Sequence, residues 1–321
     1  MANAASVGQA QLASLTRVLR RPGLTRWYRP LLIGLSVGGA IFGIGSILWG
    51  YALGMWPPHD TSAYWLAGRH IIEGKPVYDG GSSWYLAFLY PPPVAIVLAP
   101  LSLLQYDLFS LALVGLQIGA LRYVTGSWIA VGLLGWIPGV HYEFVAGNVN
   151  CLMAASMYAT LTGRRFSGVA LALFGLAKFA PVLVLVRASR RQWIEFALTV
   201  IVLLAISLPW LHLWPEWIAK LQVRDSYVGI APLFIRLPIA AFLLLYRRPW
   251  SVAAGAALAT PIFYEQSVVL LLPAIRLWWD ARRASTSATT PEAGNQLAAA
   301  DGRPAVAGVT SRGRTADAPS S

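Results

Sequence analysis

The chain has 321 residues, of which 57% are hydrophobic and only 12% are charged. Soluble domains carry about 25% charged residues, so this composition excludes an ordinary water-soluble protein. The formal net charge of +12 is concentrated in arginines that flank apolar segments, which indicates membrane topology rather than binding of nucleic acid. We therefore predict an all-α polytopic membrane protein with no nucleic-acid partner.

The N-terminal region combines a basic leader with a long apolar segment. Residues 31–53 carry no charged side chain and are long enough to cross a bilayer about 30 Å thick. This apolar core is too long for a cleavable signal peptide, so we expect an uncleaved first span. Positive charge collects on the cytoplasmic side, which makes residues 1–30 a cytoplasmic leader. The arginines before the span are Arg17, Arg20, Arg21, Arg26 and Arg29.

The first outer loop, about residues 54–90, is polar, rich in aromatic residues and much longer than most other connections. Long ordered loops are usually functional. Within it, Asp60 is well placed to cap a short helix over residues 61–73. A carboxylate in a partly desolvated site can also act as a general base, and both interpretations can hold together.

The rest of the apolar sequence is divided into many blocks between residues 92 and 279. Several are shorter than the 17–25 residues of a full span, and such helices are tolerated where they surround a cavity. We predict a membrane domain over residues 31–280, with about eight to ten transmembrane or re-entrant helices. The Ala-, Ser-, Thr-, Gly- and Pro-rich residues 281–321 are expected to form a disordered cytoplasmic tail.

Lys178 lies in the apolar block 166–187, which has arginines at both ends. The block either breaks the positive-inside tendency at one end or forms a broken hairpin that turns near Lys178 and Pro181. A charge in the hydrocarbon region costs about 2.5–3.5 kcal/mol, so such residues usually face a cavity and a partner. A lipid phosphate is a natural partner, and a snorkelling lysine near a helix end is the alternative.

Other chemical motifs are weak or absent in the sequence. His141 with Glu143, and His212 with Glu216, have turn or helical spacing but no third ligand, so we predict no metal site. Cys151 is the single cysteine, which excludes an internal disulfide and favours a small buried residue. No phosphate-binding loop, dinucleotide fingerprint, nucleophile elbow or Asp-x-Asp pair occurs. We expect no cofactor, and these absences argue against a cytosolic nucleotide-sugar enzyme.

An ordered series of short motifs runs through about residues 55–275. The motifs are Asp60, Tyr64, Ala67, Gly74, Pro76-Val77-Tyr78, Tyr90-Pro91-Pro92, Ala99-Pro100-Leu101, Gly147-Asn148-Val149-Asn150, Gly175-Leu176-Ala177-Lys178-Phe179-Ala180-Pro181, Arg190-Arg191-Gln192-Trp193 and Thr260-Pro261-Ile262. The series resembles glycosyltransferase family 87, which includes polyprenol-phosphate-mannose-dependent α-mannosyltransferases. The resemblance implies the GT-C fold, a helical bundle with its active site at the outer face of the membrane.

The resemblance assigns roles to two charged residues, and the chemistry of a departing phosphate suggests a third. Asp60 falls on the family's first-loop aspartate, the expected general base. Lys178 falls on the lysine of a Lys-x-x-Pro motif, for which phosphate contact and a structural role are both open. Arg69 is a second candidate for binding the donor phosphate.

The candidate substrate-binding residues include two departures from the family pattern. Asn148 stands where the family has glutamine, and Gln266 stands where histidine is expected. Glutamine donates hydrogen bonds but cannot carry a proton, which implies a different sugar or acceptor, or lost activity. The candidates are Tyr64, Tyr90, Asn148, Asn150, Glu265 and Gln266.

The activity that the resemblance implies is transfer of a hexose, with mannose as the first expectation, from a polyprenyl-phosphate donor to an acceptor hydroxyl. The partners are then this donor, a lipid or glycan acceptor, and the cytoplasmic membrane, with the N-terminus in the cytoplasm. Two alternatives remain open. One is a lipid or small-molecule transporter or flippase, and the other is an inactive structural partner of a cell-envelope complex.

Overall fold

The computed structural model describes residues 22–52, 59–78, 88–222 and 231–288. Within these ranges every regular element is helical and no strand occurs, which confirms the predicted all-α class. The α-helices are α1 (Pro22–Ala52), α2 (His59–Glu73), α3 (Pro92–Leu98), α4 (Tyr106–Thr125), α5 (Trp128–Leu134), α6 (Pro138–Ala146), α7 (Asn150–Leu161), α8 (Ser167–Lys178), α9 (Arg190–Ile206), α10 (Leu213–Gln222), α11 (Leu233–Leu245), α12 (Pro249–Leu258) and α13 (Leu272–Ala288). Short 3₁₀ helices cover Leu101–Leu103, Ala180–Arg187, Leu208–Trp210 and Glu265–Leu271.

Two helices in the described ranges are long and apolar enough to cross a membrane. They cover Tyr28–Trp49 within α1 and Tyr106–Thr125 in α4, and α5 with α6 makes a third if this pair, bent by 88°, is one span. The bend occurs where Pro138 begins α6, because proline cannot continue the preceding helix. The chain is therefore a membrane protein with two or three candidate spans.

Helix α1 contains the predicted first span but begins at Pro22, inside the predicted leader. Proline is tolerated in the first helical turn, so the basic sequence before the span continues the same helix. Residues 1–21 of the leader lie outside the described residues. Most side chains between Leu31 and Trp49 are exposed, as expected of a surface that faces lipid.

Helix α1 packs closely against α5 through small residues. A methyl group added at Gly39 would collide with the carbonyl oxygen of Gly132, and one added at Gly132 would collide with Ser36. Trp136, two residues after the end of α5, stabilises the same contact. Its indole nitrogen donates a hydrogen bond to the carbonyl oxygen of Leu35 in α1 at 2.8 Å. Small residues let helix backbones approach in membranes, where packing rather than the hydrophobic effect drives association.

Helix α7 forms the centre of the protein core. Cys151, Met153 and Met157 are fully buried, and α8 and α12 surround them with small and branched apolar residues. Cys151 is a free, buried thiol, as expected for a small apolar residue. This core fixes the start of α7, which carries part of the candidate site.

The apolar block over residues 166–187 is interrupted after Lys178, and a break at this position is what the broken-hairpin alternative predicted. Helix α8 ends at Lys178, Phe179 adopts a positive φ of 53°, and a 3₁₀ helix follows from Ala180. A positive φ at a bulky residue is unusual and marks a sharp change of chain direction. The break places Lys178 at a helix end.

Helix α13 extends beyond residue 281, where the tail was expected to begin. The guanidinium of Arg283 lies 5.2 Å from the ring centroid of Trp279, one helical turn earlier. Such i, i+4 pairs support helix continuation, so the first residues of the predicted tail are helical to Ala288. Residues 289–321 lie outside the described residues.

Candidate active site

Helix α2 carries Asp60 and lies in the segment that was predicted to be the first outer loop. The helix begins at His59 rather than at Thr61, so Asp60 lies in the first turn instead of before it. A carboxylate is favoured there by the helix dipole. One carboxylate oxygen, Oδ2, accepts a hydrogen bond from Asn148 Nδ2 at 2.6 Å. The side chain is half-buried and is held by a residue 88 positions later in the chain.

The turn between α6 and α7 supplies that partner. Gly147 ends α6 in the left-handed region, with a φ of 68°, which glycine adopts without strain. Its amide and that of Asn148 both donate to the carbonyl oxygen of Glu143, at 3.0 and 3.1 Å. Gln117 Nε2 donates to the carbonyl oxygen of Asn148, and Thr61 Oγ1 donates to that of Gly147 at 3.3 Å. Contacts from α2, α4 and α6 therefore fix the turn.

Asn150, two residues after Asn148, connects the turn to Lys178. Lys178 Nζ donates to Asn150 Oδ1 at 2.7 Å, and Asn150 Nδ2 donates to Glu143 Oε2 at 2.8 Å. Asn150 and Glu143 are both fully buried. A single turn thus holds Asp60 at one asparagine and Lys178 at the other.

Glu143 was missed as a site residue by sequence reasoning, which placed it only at a break between helices. The signal was present, because an ionisable residue in an apolar segment usually marks a functional site and has a partner. Its partner, Asn150, could not be identified from spacing, since the two residues belong to different helices joined by a glycine turn.

Two predicted substrate-binding tyrosines lie together beside Asp60. Tyr64 is one helical turn after Asp60, and its hydroxyl lies 2.9 Å from that of Tyr90. Tyr78 donates to the carbonyl oxygen of Tyr90 at 2.8 Å, which fixes this residue from the other side. Burial, the Tyr90 hydroxyl and the charge of Asp60 together hold the pKa of Tyr64 well above its ordinary value. Tyr64 therefore stays a neutral hydroxyl at any physiological pH.

Arg69 is placed elsewhere. It lies nine residues after Asp60 on α2, about 13 Å along the helix axis at 1.5 Å per residue. Its guanidinium pairs with Glu73 at 2.8 Å and lies over the ring of Trp65. Lys75 at 2.8 Å and Arg69 together lower the pKa of Glu73. Phosphate binding by Arg69 stays a prediction.

The two late candidates lie at the start of the 3₁₀ helix Glu265–Leu271. Glu265 is exposed, whereas Gln266 is buried, and its Oε1 has no hydrogen-bond partner among the residues that the structure describes. This 3₁₀ helix packs on α6, where a methyl group at Gly139 would collide with the carbonyl oxygen of Glu265. The late motif therefore borders the helix that carries Glu143.

Arg236 organises the segment before Gln266 and was not singled out from the sequence. Its buried guanidinium donates to the carbonyl oxygens of Leu258 and Thr260, both at 2.7 Å, and of Pro261 at 3.0 Å. These carbonyls lie at and just after the last residue of α12, where helix geometry leaves them without partners in the helix. Arg236 thereby fixes the Thr-Pro motif.

No group of three His, Cys, Asp or Glu side chains suitable for a metal ion occurs in the described part of the chain. The side chains of His141 and Glu143 contact different partners. The Glu143 carboxylate accepts hydrogen bonds from Asn150 and from the amide of Cys151, and the ring of His141 lies tilted against that of Phe42, with centroids 5.5 Å apart.

Comparison with known proteins identifies one family. The model of glycosyltransferase family 87 matches residues 88–288, more than half of the chain. The match includes Tyr90, Asn148, Asn150 and Lys178 but begins after Asp60. No curated protein and no solved structure matches the chain. On the family match, the chain belongs to glycosyltransferase family 87.

Proposed function

We propose that the protein is a membrane hexosyltransferase that moves a hexose from a polyprenyl-phosphate sugar to an acceptor hydroxyl at the outer face of the cytoplasmic membrane. Mannose is the first expectation for the sugar. The observation that carries this proposal is the turn Gly147–Asn150, which joins a carboxylate and an ammonium group in a glycosyltransferase chain. A lipid or glycan supplies the acceptor hydroxyl.

Asp60 is the general base in this proposal. It takes the proton of the acceptor hydroxyl while the acceptor oxygen forms a bond to the anomeric carbon of the sugar. The bond between that carbon and the phosphate oxygen breaks, and polyprenyl phosphate leaves with the electron pair. Attack opposite the leaving group inverts the anomeric centre. The bond from Asn148 supports this role because it orients the carboxylate, and orientation is a large part of enzymatic rate enhancement.

Lys178 stabilises the departing phosphate. Phosphate is a reasonable leaving group, so the protein mainly has to orient the reactants and offset the developing negative charge. Lys178 is half-buried at the end of α8, and its ammonium is directed by Asn150. Arg69 lies about 13 Å from Asp60 along α2, so Lys178 is the main cation in this proposal, and binding of the donor phosphate by Arg69 stays a prediction.

The aromatic residues beside Asp60 are proposed to bind the sugar. The ring centroids of Tyr64 and Tyr90 lie 5.4 Å apart, and their neutral hydroxyls can donate to and accept from sugar hydroxyls. Gln266 and Glu265 are proposed to contact the substrate from the adjacent 3₁₀ helix, with Glu265 the exposed member of the pair.

The proposed architecture is a multi-pass GT-C bundle of about eight to ten transmembrane or re-entrant helices, with the N-terminus in the cytoplasm. Beyond the two or three candidate spans, α8 and α11 are apolar helices too short to span alone. Large apolar side chains on α9 and α11 are exposed, including Val202, Phe234 and Leu245, which supports contact with lipid.

Product analysis with a panel of polyprenyl-phosphate sugars tests the proposal. Membranes that contain the protein should convert one donor to polyprenyl phosphate and place its sugar on an acceptor in a covalent bond. A transporter would move the donor without covalent change. Wild-type protein that leaves every donor intact with lipid and glycan acceptors present would contradict the proposal and favour the inactive-partner alternative.

A further inference from the structure

Glu143 is a fully buried carboxylate that the proposed mechanism does not use. Its Oε2 accepts from Asn150 Nδ2 at 2.8 Å, and its Oε1 accepts from the backbone amide of Cys151 at 3.1 Å. Burial of a carboxylate is costly unless it is paired and hydrogen bonded, so a residue of this kind needs a compensating role. The bond to Cys151 stabilises the first turn of α7, which is one such role.

The hydrogen bond between Asn150 and Glu143 determines how the amide group of Asn150 is oriented. A carboxylate only accepts hydrogen bonds, so the amide nitrogen of Asn150 must face Glu143. The amide oxygen must then face the opposite way, where Lys178 Nζ donates to it at 2.7 Å. A reversed amide would present two donors to each other at Lys178. Glu143 therefore selects the amide orientation that can bind an ammonium group.

We propose that Glu143 is a positioning residue for the donor phosphate and acts through Asn150 on the Lys178 ammonium. The inference rests on the proposed function, because it takes Lys178 as the group that stabilises the leaving phosphate. Glu143 does not touch the substrate. Without it, Asn150 loses its preferred direction and Lys178 loses its fixed position, which lowers turnover.

The arrangement is tested by exchanging the carboxylate of Glu143 and the amide of Asn150, first singly and then together. In Glu143→Gln, one amide oxygen must serve both donors, Asn150 and Cys151. In Asn150→Asp, two carboxylates face each other, and like charges at this distance repel. In the double variant, the new glutamine accepts from the amide of Cys151 and donates to the new aspartate. The aspartate in turn accepts from Lys178, so every hydrogen bond is restored.

The variants are compared by kcat and KM for sugar transfer per folded molecule, and by affinity for a polyprenyl monophosphate that carries no sugar. Each single variant should lose about 10- to 100-fold in kcat/KM, since small displacements of reacting groups have effects of this size. Affinity for the monophosphate should fall in parallel. The double variant should recover most of both. Glu195→Gln is the matched control on α9, because Glu195 also accepts one hydrogen bond from a backbone amide, that of Gly168, and one from a side chain, that of Arg191.

The outcomes separate the inference from the proposed function. Active wild type with single variants near wild-type activity, or a double variant no better than the worse single one, would overturn the inference alone. Single variants that lose only thermal stability, with normal activity per folded molecule, would reduce Glu143 to a structural role at α7. A wild type that neither transfers sugar nor binds the monophosphate would overturn both.

Discussion

At the residue scale, the chemistry depends on which polar atoms are matched across helices. Asp60 and Lys178 were predicted from sequence, because a loop carboxylate and an intramembrane lysine are conspicuous in an apolar chain. The roles of Glu143 and Arg236 were not, because their partners lie in other segments of the chain and no spacing rule relates them. Sequence thus identified residues of unusual chemistry but not the contacts that orient them.

Two buried threonines should respond in opposite ways to loss of their hydroxyl groups. Thr260 Oγ1 is buried and meets no partner among the described residues, whereas Thr61 Oγ1 donates to the carbonyl oxygen of Gly147. An unsatisfied buried polar group costs about 1–3 kcal/mol, and a typical hydrogen bond contributes about 1 kcal/mol. Thr260→Val should leave thermal stability unchanged or raise it, and Thr61→Val should lower it. Equal destabilisation of the two variants in thermal unfolding would contradict these contacts.

At the element scale, helix existence was predicted better than helix ends. The first span and the helix around Asp60 occur, because long apolar runs and a carboxylate near a helix start are strong local signals, although Asp60 lies in the first turn and not before the helix. The start of α1 at Pro22 and the extension of α13 to Ala288 were missed. A basic or polar sequence can continue a helix that is already nucleated, so composition alone does not mark the boundary.

The contact between α1 and α5 gives a prediction at this scale. Gly132→Ala would push a methyl group into the backbone and hydroxyl of Ser36, so the helices must separate. Gly115 on α4 has open space around it and serves as the control. Alanine is the better helix former by about 1 kcal/mol, so Gly115→Ala should be neutral or stabilising. Thermal unfolding in lipid should show a clear loss only for Gly132→Ala, and a tolerated Gly132→Ala would argue against the close packing.

At the scale of the whole molecule, the distribution of charge and apolar surface determines orientation in the membrane. The family match and the candidate spans make the chain a membrane glycosyltransferase-family protein, and the arginines of the leader predict its sidedness. Sidedness is not visible in helix geometry, because it depends on charges relative to a bilayer.

Cysteine labelling tests this topology. Cys151 is buried and is the single native cysteine, so a Cys151→Ala background is suitable for introduced thiols. A cysteine at position 6 in the leader should react with an impermeant reagent only after the membrane is opened, because the leader is predicted to be cytoplasmic. Ser82→Cys in the first outer loop should react in intact cells. The reverse pattern would invert the topology and move Asp60 to the cytoplasmic face.

The central claim is that Asp60 is the base of a sugar transfer, and one comparison tests it most directly. Asp60→Asn keeps the size of the side chain but removes the proton acceptor. Asp107→Asn is the matched control, an exposed aspartate in the first turn of α4. On the donor that wild type consumes, Asp60→Asn should lower kcat by about 10²- to 10⁴-fold, while Asp107→Asn stays near wild type. Unchanged turnover in Asp60→Asn, at matched expression, would contradict the account and leave Asp60 a structural residue in the first turn of α2.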